Sequence, residues 1–95
     1  MEFKKTQENG DATCNYTIIT DKNTVLEFLY ELRKHVKFNE EWGDIYITPY
    51  KKIAGYNHGS FHFTDALLDY KDSKIQHIWA NGGWDLMSYY ITIEE

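Results

Sequence analysis

His58 and His62 stand four residues apart, the interval at which one side of a helix presents two imidazoles to a metal ion. Gly59 and Ser60 lie between them and the run does not read as helix, so the two-histidine helical motif is missing. Asp65, Asp69 and Asp72 follow at intervals of four and three. On a helix they would form an acidic stripe able to hold a hard cation. The glycine and ligand order of a calcium loop is absent, which favours a solvated helix face. Cys14, the only thiol, needs a neighbouring base to act as a nucleophile. On a strand it reads as a small core residue. Gly82-Gly83 reads as a hairpin tip, not a strand-to-helix phosphate loop. Arg33-Lys34-His35-Val36-Lys37 is the densest basic run, and its place in the last turn of a helix is explained by the helix dipole. The expectation is therefore no catalytic residue, no metal and no cofactor.

Aromatic residues are the compositional signal: three Trp, eight Tyr and five Phe, or 17% of the chain. A small core absorbs only part of them, and Trp and Tyr are the types that dominate interface energetics. Trp79, Trp84, Tyr89 and Tyr90 flank Asn81-Gly82-Gly83, which suggests a rigid hairpin carrying a binding platform. The expected partner-binding residues are Trp79, Trp84, Asp85, Tyr89 and Tyr90, with Asp65 and Asp69 as acidic contributors. The competing expectation buries Trp79 under the helix and uses Trp84 to clip the turn.

The stretch Ile78-Trp79-Ala80-Asn81-Gly82-Gly83-Trp84-Asp85-Leu86-Met87 and its β-rich continuation resemble the tails of small proteins carried by phages and mobile elements. In being short, acidic and without enzymatic motifs, the chain is also similar to anti-CRISPR and other anti-defence inhibitors. The resemblance covers about a quarter of the chain and transfers no functional residue. It implies a phage or mobile-element habitat more than a mechanism.

The elements that must position these residues follow from periodicity. Thr13 to Thr20 alternates as a strand, with Cys14, Tyr16 and Ile18 on one face. Asp21 to Val36 reads as one long helix: Thr24 and Glu27 have capping-box spacing, and Val25, Phe28, Leu29, Leu32 and Val36 form an apolar stripe. Gly43 to Thr48 reads as a strand that Pro49 ends, and Lys51 to Tyr56 as another broken by Gly55. A short helix capped by Thr64 follows. Lys74 to Ala80 and Leu86 to Ile93 form a hairpin about the Asn81-Gly82 turn, with Tyr89 and Tyr90 on opposite faces. The expected fold is α+β: a mainly antiparallel sheet of four to five strands with one long helix on one face, in the order β-α-β-β-(short α)-β-β. Residues 1–12 are expected to be a flexible arm or the start of an edge strand, and residues 13–95 a single domain.

Charge limits the partners. Fifteen acidic against ten basic residues give a net charge of −5. That disfavours direct binding to nucleic acid or an anionic membrane; it suits a basic protein partner, or serves solubility alone, the more common reason. One cysteine, no apolar signal segment and no long apolar run suggest a cytoplasmic location. The leading expectation is a non-enzymatic binding protein that docks on a host protein and blocks its nucleic-acid-binding groove. The alternatives are a metal-binding protein or enzyme using His58, His62, Asp65 and Asp69, and a homo-oligomeric module paired through Thr13–Thr20 or Leu86–Ile93.

Overall fold

A computed structural model describes residues 1–10, 13–49, 51–83 and 85–94; the side chains of residues 37–39 are outside what it describes. In chain order the elements are β1 (Glu2–Glu8), β2 (Cys14–Ile19), α1 (Val25–Asn39), β3 (Trp42–Ile47), β4 (Lys51–Asn57), β5 (Ser60–Phe63), α2 (Leu67–Tyr70), β6 (Ile75–Gly82) and β7 (Met87–Ile93). All seven strands join one mixed sheet, ordered β1-β2-β6-β7-β3-β4-β5. Among the described strand pairs only β3 and β7 run parallel.

This overturns the expected four- to five-stranded sheet under one long helix. Among the described residues the protein is mostly sheet, with two helices of 15 and 4 residues. Two strands account for the difference. Glu2–Glu8 pairs antiparallel with β2 and becomes an edge strand, and Ser60–Phe63 pairs with β4 and becomes the other edge. Both strands proposed for self-pairing, β2 and β7, are interior, so neither has a free edge.

Helix α1 starts after the Thr24 cap rather than at Asp21 and runs past Val36 to Asn39, so the expected Asp21–Val36 span is shifted at both ends. The Thr24 side chain accepts from the Glu27 N–H at 3.4 Å, and its hydroxyl donates to Glu27 Oε1 at 2.8 Å. Val25, Phe28, Leu29, Leu32 and Val36 are all buried against Ile45, Ile47, Ile53, Ile78, Tyr89 and Ile91 of the sheet. Burial of each large apolar side chain is worth roughly 1.5–3 kcal/mol, so this single stripe holds α1 to one face. The helix ends at Glu40, whose N–H donates to the Val36 carbonyl while its extended backbone (φ −142°) turns the chain into β3. Helix α2 docks beside the start of α1: the Leu26 and Val25 N–H groups donate to the Lys71 and Ser73 carbonyls. Thr64 does not cap it; its hydroxyl donates to the Lys52 carbonyl at 2.7 Å.

The final hairpin turns later than expected. Asn81 and Gly82 still belong to the ladder, opposite Ser88 and Met87, and the Gly83 N–H donates to the Leu86 carbonyl. Gly82 serves close approach, since a Cβ there would lie 2.1 Å from the Leu86 carbonyl oxygen. Positive φ occurs instead at His58 (48°) and Gly59 (84°), the two-residue turn that joins β4 to β5.

Candidate binding face

Both helices lie on one side of the sheet, and alternation decides what the other side carries. On β3, β6 and β7 the residues Ile45, Ile47, Ile78, Ala80, Met87, Tyr89 and Ile91 point into the core. Their neighbours point away. Pairing register aligns these outward residues into a row across six strands: Lys4, Thr17, Trp79, Tyr90, Tyr46 and Lys52. Its centre is aromatic. Trp79 and Tyr90 stack with centroids 4.1 Å apart and 14° between planes, and Tyr90 stacks on Tyr46 at 5.4 Å and 15°. Tyr90 is thus held between two rings, and Trp79 is 36% exposed.

A second row, of amides, runs beside the ridge. Gln7, Asn15 and Asn81 are register partners. Asn15 donates to Gln7 at 3.2 Å, and Asn81 donates to Asn15 through a short hydrogen bond. Beyond Tyr46 the face becomes charged: Lys52 Nζ lies 2.9 Å from Asp44 Oδ1, and the Tyr46 hydroxyl lies 3.3 Å from Asp44 Oδ2. The Asp44 carboxylate raises the Lys52 pKa, and burial followed by the charge of Asp44 raises that of Tyr46. An open groove continues from this pair, lined by Trp42, Asp44, Lys52, Asn57, His62 and Leu86. Trp42 and Leu86 are both exposed, and the Trp42 ring meets His58 edge-on at 4.9 Å.

The expected site residues that the structure describes divide between four places. Trp79 and Tyr90 come together in the ridge, so Trp79 does not pack under the helix. Tyr89 is fully buried on the helix face and is inaccessible to a partner. Asp85 is exposed, and its carbonyl accepts from the Glu41 and Trp42 N–H groups at the end of the sheet. Asp65 and Asp69 lie exposed around α2, beside α1 rather than on the ridge. Trp84 lies outside the described residues. Tyr46 and the amide row were missed: each is ordinary in sequence and acquires meaning only from pairing between distant strands.

A second polar cluster sits inside the molecule. The carboxyl group of Glu40, with a side chain only 4% exposed, receives the Tyr56 hydroxyl at 2.7 Å and the Tyr89 hydroxyl at 2.7 Å, the latter also reaching its second oxygen. His35 Nε2 lies 3.1 Å from Oε2, and Phe3 stacks on the His35 ring at 4.8 Å. Burial first, and the charge of Glu40 second, hold both tyrosines well above the ordinary phenol range. Hydroxyls kept protonated and sealed from solvent are not nucleophiles. The cluster ties the end of α1 to β4 and β7.

Among the described residues no group of three His, Cys, Asp or Glu side chains is placed to hold a metal ion. His58 sits at the β4–β5 turn, 3.8 Å from Glu41, while His62 lies on β5 at the groove. No described helix is long and apolar enough to cross a membrane. No protein-family model, curated protein or solved structure matches the chain.

Proposed function

We propose that this chain is a non-enzymatic binding protein that engages a basic protein partner through the uncovered face of its sheet, with Trp79, Tyr90 and Tyr46 at the centre. One observation carries the reading: three aromatic rings stacked in register on the side that no helix covers. Stacking fixes their rotamers before a partner arrives, which lowers the entropic cost of using them as anchors. The amide row and the Asp44–Lys52 pair supply a polar rim with directional hydrogen bonds.

Protein is favoured over nucleic acid as the occupant. Tyr90 offers no free ring face on which a base would stack. The row contains two lysines, and Lys52 is already paired with Asp44. A net charge of −5 opposes a polyanion and speeds encounter with a basic surface. A nucleic-acid-processing enzyme with a basic groove fits this chemistry, in keeping with the resemblance to phage and mobile-element inhibitors and with a cytoplasmic site of action.

The test is capture of partners from a bacterial lysate by tagged protein, with Trp79→Ala and Tyr90→Ala as variants and a fluorescence titration with single-stranded oligonucleotide alongside. A partner retained by the native chain, lost with either variant and weakened by salt supports the reading. Binding of the oligonucleotide with Trp79 quenching, or capture indifferent to both variants, sinks it.

A further inference from the structure

The two edges of the sheet differ. Edge strand β1 carries Glu2, Lys4, Lys5 and Glu8, charges that oppose pairing with another strand. Edge strand β5, Ser60-Phe61-His62-Phe63, carries no Asp, Glu, Lys or Arg, and Phe63 is exposed. Its register places Asn57 opposite Ser60, Gly55 opposite His62 and Ala54 opposite Phe63, and the Thr64 N–H donates to the Ile53 carbonyl at 3.0 Å. Alternation in an antiparallel ladder then turns the N–H and C=O groups of Ser60 and His62 toward β4, and those of Phe61 and Phe63 away from it. Among the described residues no backbone hydrogen bond beyond the strand meets Phe61 or Phe63.

We infer that β5 is a self-association edge, paired antiparallel with β5 of a second copy of this chain across a two-fold axis at His62. The edge is self-complementary in that register. Phe61 faces the second copy's Phe63, and the reverse pair repeats it, so two outward donor–acceptor pairs meet two others. The side chains agree with the backbone. Phe61 stacks on the buried Tyr56 at 6.0 Å, meets Phe63 edge-on at 5.5 Å, and Phe63 meets Tyr30 of α1 at 6.4 Å. The aromatic ladder therefore ends at the free edge with two Phe, and a rotated copy extends it with two more, as cross-strand aromatic pairs favour. The exposed Tyr30 gives the junction an apolar flank on the helix side. The axis runs through the sheet from face to face, so both ridges lie on the same side of a doubled sheet and offer two anchors to one partner. The inference stands apart from the ridge itself, since Trp79 and Tyr90 lie four and three strands from β5.

Sedimentation of the native chain over a wide concentration range is the first measurement, with a mass rising from monomer toward dimer expected. His62→Lys sets two like charges opposite each other without touching the core and restores the monomer. In a Cys14→Ser background, His62→Cys places two thiols at a non-hydrogen-bonded pair, where Cα atoms about 4.5 Å apart suit a disulfide. Under mild oxidation it cross-links about tenfold or more faster than Thr6→Cys on the opposite edge, because association raises the effective thiol concentration. A native mass fixed at monomer, with equal cross-linking rates at the two positions, overturns the inference. So does a dimer that His62→Lys leaves intact.

Discussion

Glu40 shows how one polar residue is made tolerable in an interior. A carboxyl group removed from water is costly unless donors replace the lost solvent, and here two phenol hydroxyls and an imidazole surround it. Tyr89→Phe removes one donor and leaves Glu40 buried with fewer partners; urea unfolding is expected to show a loss of about 1–3 kcal/mol. The same tyrosines set an alkaline limit. Their pKa values are raised above 10.0 in the folded chain, so their contribution is complete below that pH. Above it the unfolded chain releases phenol protons that the folded chain retains, and stability falls by about 1.4 kcal/mol per pH unit for each tyrosine. Tyr16 and Tyr46, raised chiefly by burial, act in the same sense. Urea midpoints measured from about pH 8 to about pH 11 should fall with rising pH, and Tyr89→Phe should flatten that slope by one phenol's share. Gly43 belongs to this cluster too. A Cβ there would lie 1.9 Å from the Met87 carbonyl oxygen and 2.3 Å from the Tyr56 hydroxyl. Gly43→Ala must push β3 away from both neighbours, and a loss of about 2–3 kcal/mol or failure to fold is expected.

At the scale of elements, α1 was legible because it satisfies several local rules together: a cap, a stripe and a charge gradient. Thr24→Ala deletes both the side-chain acceptor for the Glu27 N–H and the hydroxyl bonded to the Glu27 carboxylate, and thermal unfolding should report about 1 kcal/mol less stability. Strand faces were legible where one side is buried, so Tyr89 and Tyr90 were correctly assigned to opposite sides. The edges were not. In β1 only Phe3 is even partly buried, which leaves no alternation to detect, and β5 is four residues long. Asn81-Gly82 misled because the pair favours a tight turn, yet Gly82 is needed where β6 and β7 approach too closely for a side chain. Register, which assembles both the ridge and the Glu40 cluster, depends on contacts between residues such as Tyr46 and Tyr90 that no local pattern encodes.

At the scale of the whole molecule, the proposed binding surface and the core lie on opposite faces. The helix-bearing side holds the apolar core and the Glu40 cluster; the uncovered side holds the stacked rings, the amide row and the groove. A substitution on the uncovered side therefore has a distinctive signature. Trp79→Ala leaves every core contact of Ile78 and Ala80 in place and exposes no buried polar group, so its cost is that of one cross-strand aromatic pair, about 0.2–1 kcal/mol. An anchor at the centre of an interface is worth 2 kcal/mol or more on truncation, a loss of about thirtyfold in affinity. Measuring the unfolding midpoint and the partner affinity of the same variant separates the two scales. A small stability change with a large affinity change identifies Trp79 as an anchor. Parallel losses would mean that the ridge serves chiefly to hold β6 and β7 together, and that the binding surface lies elsewhere on the fold.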